Sequence, residues 1–532
     1  MTMKRRKASD GTAEPCSGVG GGDRLSGLPD ELIGRILSFL PTPQAALTAQ
    51  LSRQWRRAWA HVSALNLSVR DCVRRGKGPR FCALATAALA RFPTPGIPAI
   101  SVEVDHHIYL VDEWYGRAMA RAVGSVRVAS LRGLSFLRLP PCTHAEALDV
   151  TAPRTTLALP EAGLAFGRLA ELSLALLQLG GARPLDEFLA SCCPRLRTLR
   201  LRRVRGHSVR RLALRTGALE VLDLDTVDDL VTLDVVAAKL RCLSVRSCFR
   251  LARDGDGGEV TVSAPRIEAV CWYRSYPEQL TFRDGGLAHV RLLAGPLKLL
   301  TLGRWDQFDA PYTTQLLRSC ALAVDQLDME LVVPDEMALL NWLGAPAEAR
   351  ATCEDLIGHV PALPCVRVLS LKIRWGFGGG GVAPRLASFL SRTPSLTRLR
   401  IDASPYCLTV YEGEEAAPPP PRGKQHQWKR SDVGADEQSR VRLDGLREMS
   451  VDGLKGTDSE EHRLVQLLLA SAPPSLERMS LTFRDAAASI VDEIAAEIPV
   501  HFPMATGRWD RCTTSVLTWT RVTTAQPEHQ LF

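Results

Sequence analysis

The 532-residue sequence lacks several features that define large classes of proteins. It has no run of about 18 uninterrupted apolar residues, so it predicts no transmembrane helix. Its basic first residues are not followed by an apolar core, so no secretory signal is expected. None of its 14 cysteines forms a C-x-x-C pair. Without a secretory signal the thiols are expected to be reduced, and most of them to be small core residues. We therefore expect a protein of the cytoplasm or the nucleus.

Motifs of catalysis and cofactor binding are also missing. There is no Gly-x-Ser-x-Gly elbow and no His-Glu-x-x-His motif. The glycine-rich run 376–381 continues into Val382 rather than Lys-Ser or Lys-Thr, which indicates a loop and not a phosphate-binding loop. Asp254–Glu259 lacks the glycine of a calcium loop at its sixth position, and His106 and His107 would point to opposite faces of a strand. We expect no cofactor, no metal and no enzymatic activity of the chain itself.

The first 22 residues are polar and glycine-rich, which predicts a disordered segment. Within it, Lys4-Arg5-Arg6-Lys7 is either a nuclear import signal or a solvated basic cluster. The net charge of +8, from 66 basic and 58 acidic residues, is small for this length and does not by itself indicate nucleic-acid binding.

Three short helices are predicted between Asp23 and Ser68. Pro29 suits the first position of a helix whose first turn carries Asp30 and Glu31. Thr42 is a candidate N-cap for the second helix, and Ser52 for the third, which carries the two tryptophans of the segment. Three helices of this size cannot bury their apolar surface against one another, so a partner or the neighbouring domain must cover the remainder.

The same segment resembles an F-box of the form found in plant F-box proteins. The resemblance rests on Leu28-Pro29-Asp30-Glu31-Leu32, on Ile36–Pro41 and on Leu51–Trp59. It implies that the segment docks on a Skp-family adaptor and through it on cullin. The adaptor-facing positions that the resemblance implies are Leu28, Pro29, Ile33, Ile36, Leu37, Leu40, Pro41, Leu51, Ser52, Trp55 and Trp59. Some of these residues must also hold the three helices together, and the sequence does not separate the two roles.

A repeat follows, whose unit is an apolar residue at relative positions 1, 4 and 6. From Leu199 the middle position recurs at Leu222, Leu243, Val270 and Val290, at intervals typical of leucine-rich repeats. Its last two positions alternate, as in a short strand with one buried face. The middle positions of all copies are Leu137, Leu148, Leu172, Leu199, Leu222, Leu243, Val270, Val290, Leu327, Leu369, Leu399, Met449 and Met479. We predict an irregular solenoid without an asparagine ladder, whose Cys142, Leu177, Val204, Val227 and Cys248 turn back into the core.

The convex side of this solenoid is predicted to change along the chain. Leu212/Leu214 and Leu233/Val235 lie about half a repeat out of phase, which indicates a second extended segment in place of a helix. Elsewhere helices are expected, at 185–191, 313–319, 384–391 and 460–470.

The C-terminal part resembles the FBD module of plant F-box proteins. The resemblance covers the strand Gly445–Val451, the helix Glu461–Ala470 and the strand Leu476–Phe483. The expected fold is thus α/β, a small all-helical F-box followed by an irregular leucine-rich-repeat arc. The boundaries are a disordered N-terminus (1–22), the F-box (23–68), a connector and solenoid cap (69–120), leucine-rich repeats (121–401), a disordered proline-rich and charged insert (402–440), FBD-like terminal repeats (441–485) and a C-terminal tail (486–532).

One dense arginine patch spans residues 195–215, and its Arg200 and Arg202 flank Leu201 in a predicted strand. Its nine members are Arg195, Arg197, Arg200, Arg202, Arg203, Arg205, Arg210, Arg211 and Arg215. Guanidinium groups suit bidentate capture of carboxylate or phosphate, so Arg200, Arg202, Arg203 and Arg205 are the candidate target-binding residues, unless the patch is only a solvated rim.

The leading hypothesis is a target-recognition subunit of a Skp–cullin–F-box ubiquitin ligase, which binds an unknown target protein through its repeats. The alternative is a leucine-rich scaffold or nucleic-acid-associated regulator that uses the arginine patch. No membrane is expected as a partner, and nucleic acid is not the favoured one.

Overall fold

The computed structural model describes residues 27–48, 52–74, 80–105, 107–110, 113–160, 166–181, 183–228, 230–249, 258–283, 290–298, 300–302, 310–333, 353–375, 382–405, 441–456, 459–484, 486–501 and 507–521. The predicted disordered N-terminus, the glycine-rich run, most of the calcium-like turn and nearly all of the proline-rich insert lie outside these residues. Within them the chain is a helical N-terminal segment followed by a strand-rich α/β solenoid.

The helices are short and are concentrated in the N-terminal segment and on one side of the solenoid. They are α1 Asp30–Phe39, α2 Thr42–Thr48, α3 Arg53–Ala58, α4 Val69–Arg74, α5 Phe81–Ala90, α6 Glu113–Arg121, α7 Leu185–Cys192, α8 Ala310–Cys320, α9 Val382–Leu390, α10 Ser459–Ala470 and α11 Ala488–His501. The four helices predicted on the convex side of the repeats are confirmed as α7, α8, α9 and α10.

The strands are, in chain order, β1 Ala64–Ser68, β2 Ile97–Glu103, β3 Ala122–Ala129, β4 Phe136–Arg138, β5 Ala147–Ala158, β6 Glu171–Gly180, β7 Thr198–Val204, β8 Arg211–Arg215, β9 Val221–Val227, β10 Thr232–Val236, β11 Cys242–Arg246, β12 Glu259–Ser263, β13 Ala269–Tyr273, β14 Gln279–Phe282, β15 Val290–Lys298, β16 Leu300–Leu302, β17 Val324–Val333, β18 Cys353–Asp355, β19 Val368–Trp375, β20 Arg398–Pro405, β21 Glu448–Leu454, β22 Arg478–Phe483, β23 Gly507–Thr513 and β24 Val516–Arg521. All thirteen copies of the predicted repeat contain one of these strands.

One large sheet runs through the solenoid. Its strands pair side by side in parallel, in the succession β1, β2, β3, β5, β6, β7, β9, β11, β13, β15, β17, β19, β20, β21 and β22. The register places equivalent repeat positions opposite each other, as for Leu172, Leu199 and Leu222. Parallel strands need a crossover connection, and each repeat supplies one.

A second parallel sheet replaces helices in the middle of the solenoid. It contains β8, β10, β12 and β14, which alternate along the chain with strands of the large sheet. Leu212 pairs with Leu233, and Leu214 pairs with Val235. The prediction of an extended convex segment is therefore confirmed, and the sequence pattern had revealed only two of its four strands.

The core lies between the large sheet and the convex elements. The residue three positions after the last apolar residue of a repeat copy is buried in five copies, as Cys142, Leu177, Val204, Val227 and Cys248. The prediction that these five side chains turn back into the core is confirmed.

Three sequence-based expectations about local structure are wrong. β1 and β2 lie in segments without a predicted repeat, and β1 already belongs to the large sheet. No strand was predicted in the C-terminal tail (486–532), but β23 and β24 form an antiparallel pair there, with β24 against β22. His107 begins a 3-10 helix, His107–Leu110, rather than lying in a strand.

Candidate functional site

The first helix, α1, carries two apolar stripes. Ile33 and Leu37 are buried at 0% and 1% exposure. Leu32 and Ile36, which directly precede these two residues, are 46% and 41% exposed, and Phe39, two positions after Leu37, is 78% exposed. We call these last three residues the exposed stripe. Large exposed apolar side chains at i, i+4 and i+7 present one continuous face of a helix, and such faces mark interaction surfaces.

The buried side of α1 is fastened to the first strand of the solenoid by side-chain hydrogen bonds. The Ser38 hydroxyl donates to the Gly34 carbonyl (2.9 Å) and accepts from the Ser63 backbone N–H (2.9 Å). The Asn66 amide donates to the carbonyls of Ser38 (2.7 Å) and Leu40 (3.0 Å). These bonds join the end of α1 to β1, so the exposed stripe is held in a fixed position relative to the sheet.

The start of α2 contributes to the same junction. Thr42 was a candidate N-cap, but it is the first residue of α2, and its hydroxyl accepts from the Asn66 backbone N–H at 2.8 Å. Pro29 likewise precedes α1 and does not begin it. Ser52 does cap α3 as predicted, since its hydroxyl accepts from the Trp55 backbone N–H at 3.3 Å.

The structure separates the two roles that the sequence left mixed among the eleven predicted adaptor-facing residues. Pro29, Ile36 and Ser52 are exposed, and Leu28, Leu40, Pro41, Trp55 and Trp59 are half-buried. Leu51 lies outside the described residues. The expectation that Ile33 and Leu37 face a partner needs correction, because both side chains are fully inside the core that holds the helices together.

The arginine patch does not form one surface. Arg211 and Arg215 belong to β8 in the second sheet, whereas Arg200 and Arg202 belong to β7 in the large sheet. Four of the nine arginines are ion-paired with carboxylates on neighbouring turns: Arg197 with Glu220 (3.8 Å), Arg200 with Glu171 (3.7 Å), Arg202 with Asp223 (3.1 Å) and Arg215 with Asp234 (3.1 Å). Arg210 also has a polar partner.

Cross-strand ion pairs of this kind continue along the open face of the large sheet. Asp223 accepts from both Arg202 and Arg246, the latter at 2.8 Å. Further pairs are Arg127–Asp149, Arg291–Asp328, Arg398–Glu448 and Arg400–Asp452. These ion pairs neutralise the arginines that they join. Arg203 and Arg205, two of the four candidate target-binding residues, make no ion pair with any residue that the structure describes.

Comparison with known proteins identifies the helical segment. The family model of the F-box domain matches residues 25–65, which contain α1, α2, α3 and the first residues of β1. The chain contains an F-box domain.

Relatives from Arabidopsis thaliana extend the likeness beyond the F-box. An F-box/FBD/LRR-repeat protein is 26% identical over 274 residues, which cover 48% of this chain and 58% of the relative. An F-box/LRR-repeat protein is 28% identical over 243 residues (44% and 60%), and an FBD-associated F-box protein is 28% identical over 228 residues (42% and 50%). The resemblance to plant F-box proteins with leucine-rich repeats and an FBD module is thereby confirmed. The chain spans only 50–60% of the length of these relatives.

The predicted adaptor-facing positions did not include Leu32, Phe39 or Leu47. Leu47, on α2, is 49% exposed. The available signal was that α1 has apolar residues on more than one helical face. A helix that is apolar on two faces must cover the second with something other than its own core.

Four buried thiols in the described part of the chain are unreactive. Burial raises the pKa of the Cys142 thiol to about 11 and that of Cys193, Cys248 and Cys320 to about 12, so these thiols stay protonated and inert. Among the described residues no group of His, Cys, Asp and Glu could hold a metal ion. None of the described helices has the length and apolar character needed to cross a membrane.

Proposed function

We propose that this F-box protein is a target-recognition subunit of a Skp–cullin–F-box ubiquitin ligase. The observation that carries the proposal is the exposed stripe of α1, Leu32, Ile36 and Phe39, on a helix whose other face is buried and fastened to the solenoid. Nothing in the described part of the chain covers this stripe. In the proposed complex the Skp-family adaptor covers it and links the chain to cullin.

The proposed mechanism is proximity and not bond-making by this chain. The repeats hold a target protein, and the F-box holds the adaptor. Because the junction between α1 and β1 is fixed by hydrogen bonds, the bound target is kept at a constant position relative to the rest of the ligase. Holding two reactants together in this way raises the effective concentration of a target lysine near the ubiquitin-charged enzyme. We propose that this takes place in the cytoplasm or the nucleus.

The test is capture of a Skp-family adaptor by the full chain. Phe39→Asp and Ile36→Asp should each abolish capture, because a charge would have to be buried in an apolar interface. Leu322→Asp is the matched control, since Leu322 is 79% exposed and Phe39 78%, but Leu322 lies in the solenoid. All three side chains are exposed, so the fold should be retained in each variant.

Two results would count against the proposal. Capture that survives both α1 substitutions would show that the exposed stripe is not the docking surface. Failure of the unmodified chain to bind any Skp-family adaptor would favour a scaffold that does not engage a ligase.

A further inference from the structure

We infer that Arg154, Arg203 and Arg205 form a binding site for a phosphate group on a phosphorylated target protein. This inference rests on the proposed function, in that it names the chemistry by which the repeats recognise their target. It narrows the nine-arginine patch to two of its members and adds an arginine that the sequence analysis did not single out.

The three arginines line one pocket, which lies over the interior of β5 and β6 and the carboxyl end of β7. Arg154 lies on β5, and Arg203 and Arg205 lie at the end of β7. The strand between them, β6, contributes Leu176 and Gln178 to the same pocket. Strands in a sheet are about 4.8 Å apart, so β5 and β7 are separated by roughly 10 Å. Long side chains reaching inward from both sides can therefore meet over β6.

A bend in the backbone turns these side chains outward. Arg154, Leu176 and Arg203 have φ values of 53°, 62° and 51°, in the left-handed region. Beyond the bend, Val204 is fully buried while Arg203 and Arg205 on either side of it are exposed. The bend recurs in later repeats at Thr226, Ser247 and Arg274, so it belongs to the architecture. In β5–β7, arginines occupy the bend on both strands that flank β6, Arg154 on β5 and Arg203 on β7.

Charge distinguishes this pocket from the residues that precede it on β7. Arg200 is neutralised by Glu171 and Arg202 by Asp223. Arg154, Arg203 and Arg205 have no ion-pair partner among the residues that the structure describes. Asp228 is the acidic residue of the lining, and it has a polar interaction of its own.

Three guanidinium groups around one small pocket fit a phosphate monoester better than a carboxylate. A phosphoserine or phosphothreonine carries nearly two negative charges and three acceptor oxygens, and arginine binds such oxygens in a bidentate manner. An extended nucleic acid fits less well, because Arg200 and Arg202, which precede the pocket on β7, are already paired with Glu171 and Asp223 and are not available to the phosphates that follow.

The experiment uses the full chain and an array of immobilised peptides with random flanking residues. The central residue is phosphoserine, phosphothreonine, serine or glutamate. Phosphorylated peptides should bind, and inorganic phosphate at constant ionic strength should compete with them. Arg203→Glu combined with Arg205→Glu, or Arg154→Glu alone, should lower binding on the order of 10- to 100-fold, since charge-assisted hydrogen bonds are lost.

Arg211→Glu is the matched control, because it makes the same charge change on an exposed arginine of the second sheet. It should leave peptide binding unchanged. Adaptor capture by each variant, compared with that of the unmodified chain, monitors the fold and also separates this inference from the proposed function. A chain that binds no adaptor but binds phosphopeptides through Arg203 and Arg205 would refute only the ligase proposal.

The inference is overturned by equal binding of phosphorylated and unphosphorylated peptides, by absence of binding to any phosphopeptide, or by full binding in the pocket variants. Single-stranded RNA that competes as well as phosphopeptides and loses affinity in the same variants would assign the pocket to nucleic acid and would also overturn it.

Discussion

Two guanidinium groups meet the carboxylate of Asp223 on the open face of the sheet. Arg202 approaches from β7 at 3.1 Å and Arg246 from β11 at 2.8 Å, while the carboxylate side chain is only 12% exposed. Burial alone would raise the pKa of Asp223, but the hydrogen bonds from Arg202 and Arg246 outweigh it and hold the pKa below its ordinary value. A single residue thus joins three adjacent strands.

Replacing Asp223 with asparagine should lower the free energy of unfolding by about 1.5–3 kcal/mol at neutral pH, because two charge-assisted hydrogen bonds are weakened. The folded-state pKa lies below the unfolded value, so the carboxylate stabilises the fold above pH 3.8 and loses this contribution as the pH falls through the folded-state pKa. Urea unfolding at a series of pH values should show the difference between Asp223→Asn and the unmodified chain shrinking below that pH.

Glu268→Gln serves as the comparison for Asp223. Arg241 donates two hydrogen bonds to Glu268, both at 2.9 Å, but both side chains are about 60% exposed. Exposed ion pairs contribute little because water and salt screen them. If the two substitutions lower the free energy of unfolding equally, the burial of Asp223 does not strengthen its ion pairs.

At the scale of single elements, the helices and repeat strands could be predicted because their apolar periodicity is local. The β1–β2 pair and the β23–β24 hairpin could not, because neither follows the repeat. The backbone N–H groups of Asn66 in β1 and of Ser63 just before it donate to the hydroxyls of Thr42 and Ser38, and β24 is held by its pairing with β22. Such tertiary partners leave no periodic pattern in the strand itself.

The candidate sites were predictable to different extents for the same reason. The segment that carries the F-box was evident, but the exposed stripe was not, since periodicity alone does not say which apolar face of α1 meets the sheet. The density of arginines was visible, yet their ion pairs depend on strand register. Arg154 lies 49 residues before Arg203 in the chain, and only the parallel pairing of β5, β6 and β7 brings them to one pocket.

The packing of α1 against the turn after α3 depends on a glycine. A Cβ atom added at Gly34 would lie 2.5 Å from the His61 Cβ and 2.9 Å from its backbone. Gly34→Ala should therefore destabilise the F-box by about 1–3 kcal/mol through overpacking, although alanine is the better helix former. Thermal or urea unfolding measures the change, and adaptor capture should weaken with it.

Gly116→Ala in α6 is the control for this effect, since no atom lies within 4 Å of a Cβ at Gly116. There alanine should stabilise the chain by up to about 1 kcal/mol through its helix propensity. A stabilising effect at both positions would contradict the packing seen between α1 and His61.

At the scale of the whole molecule, each turn of the solenoid contacts mainly its neighbours. The stability of the solenoid therefore depends strongly on the elements that cover its two ends. In repeat architectures, stability is a sum of local terms, and the terminal units must cover the open core. β1 and the F-box cover one end of the described sheet, and β24 with β23 covers the other. The two sites proposed above lie near the first end, in α1 and at β5–β7.

Trp519 is central to the second end. Its side chain is 2% exposed, it pairs with Met479 of β22, and its ring lies so close to Gly507 that no Cβ would fit there. Trp519→Ala should cost about 3–5 kcal/mol locally. Because coupling between distant turns is weak, amide hydrogen exchange should rise in β21–β24 and stay unchanged in β1–β3. Adaptor capture should also be unchanged. Loosening of β24 should also expose the edge of β22, so light scattering should detect self-association.

Trp509→Ala tests whether the effect follows burial. Trp509 lies directly opposite Trp519 on the outer strand β23 and is only half-buried. Its removal should therefore increase amide exchange less and should not increase light scattering. If Trp519→Ala instead raised exchange evenly from β1 to β24, the solenoid would unfold as one cooperative unit. Its ends would then stabilise the whole sheet, and substitutions at β24 would reach the F-box and the arginine pocket as well.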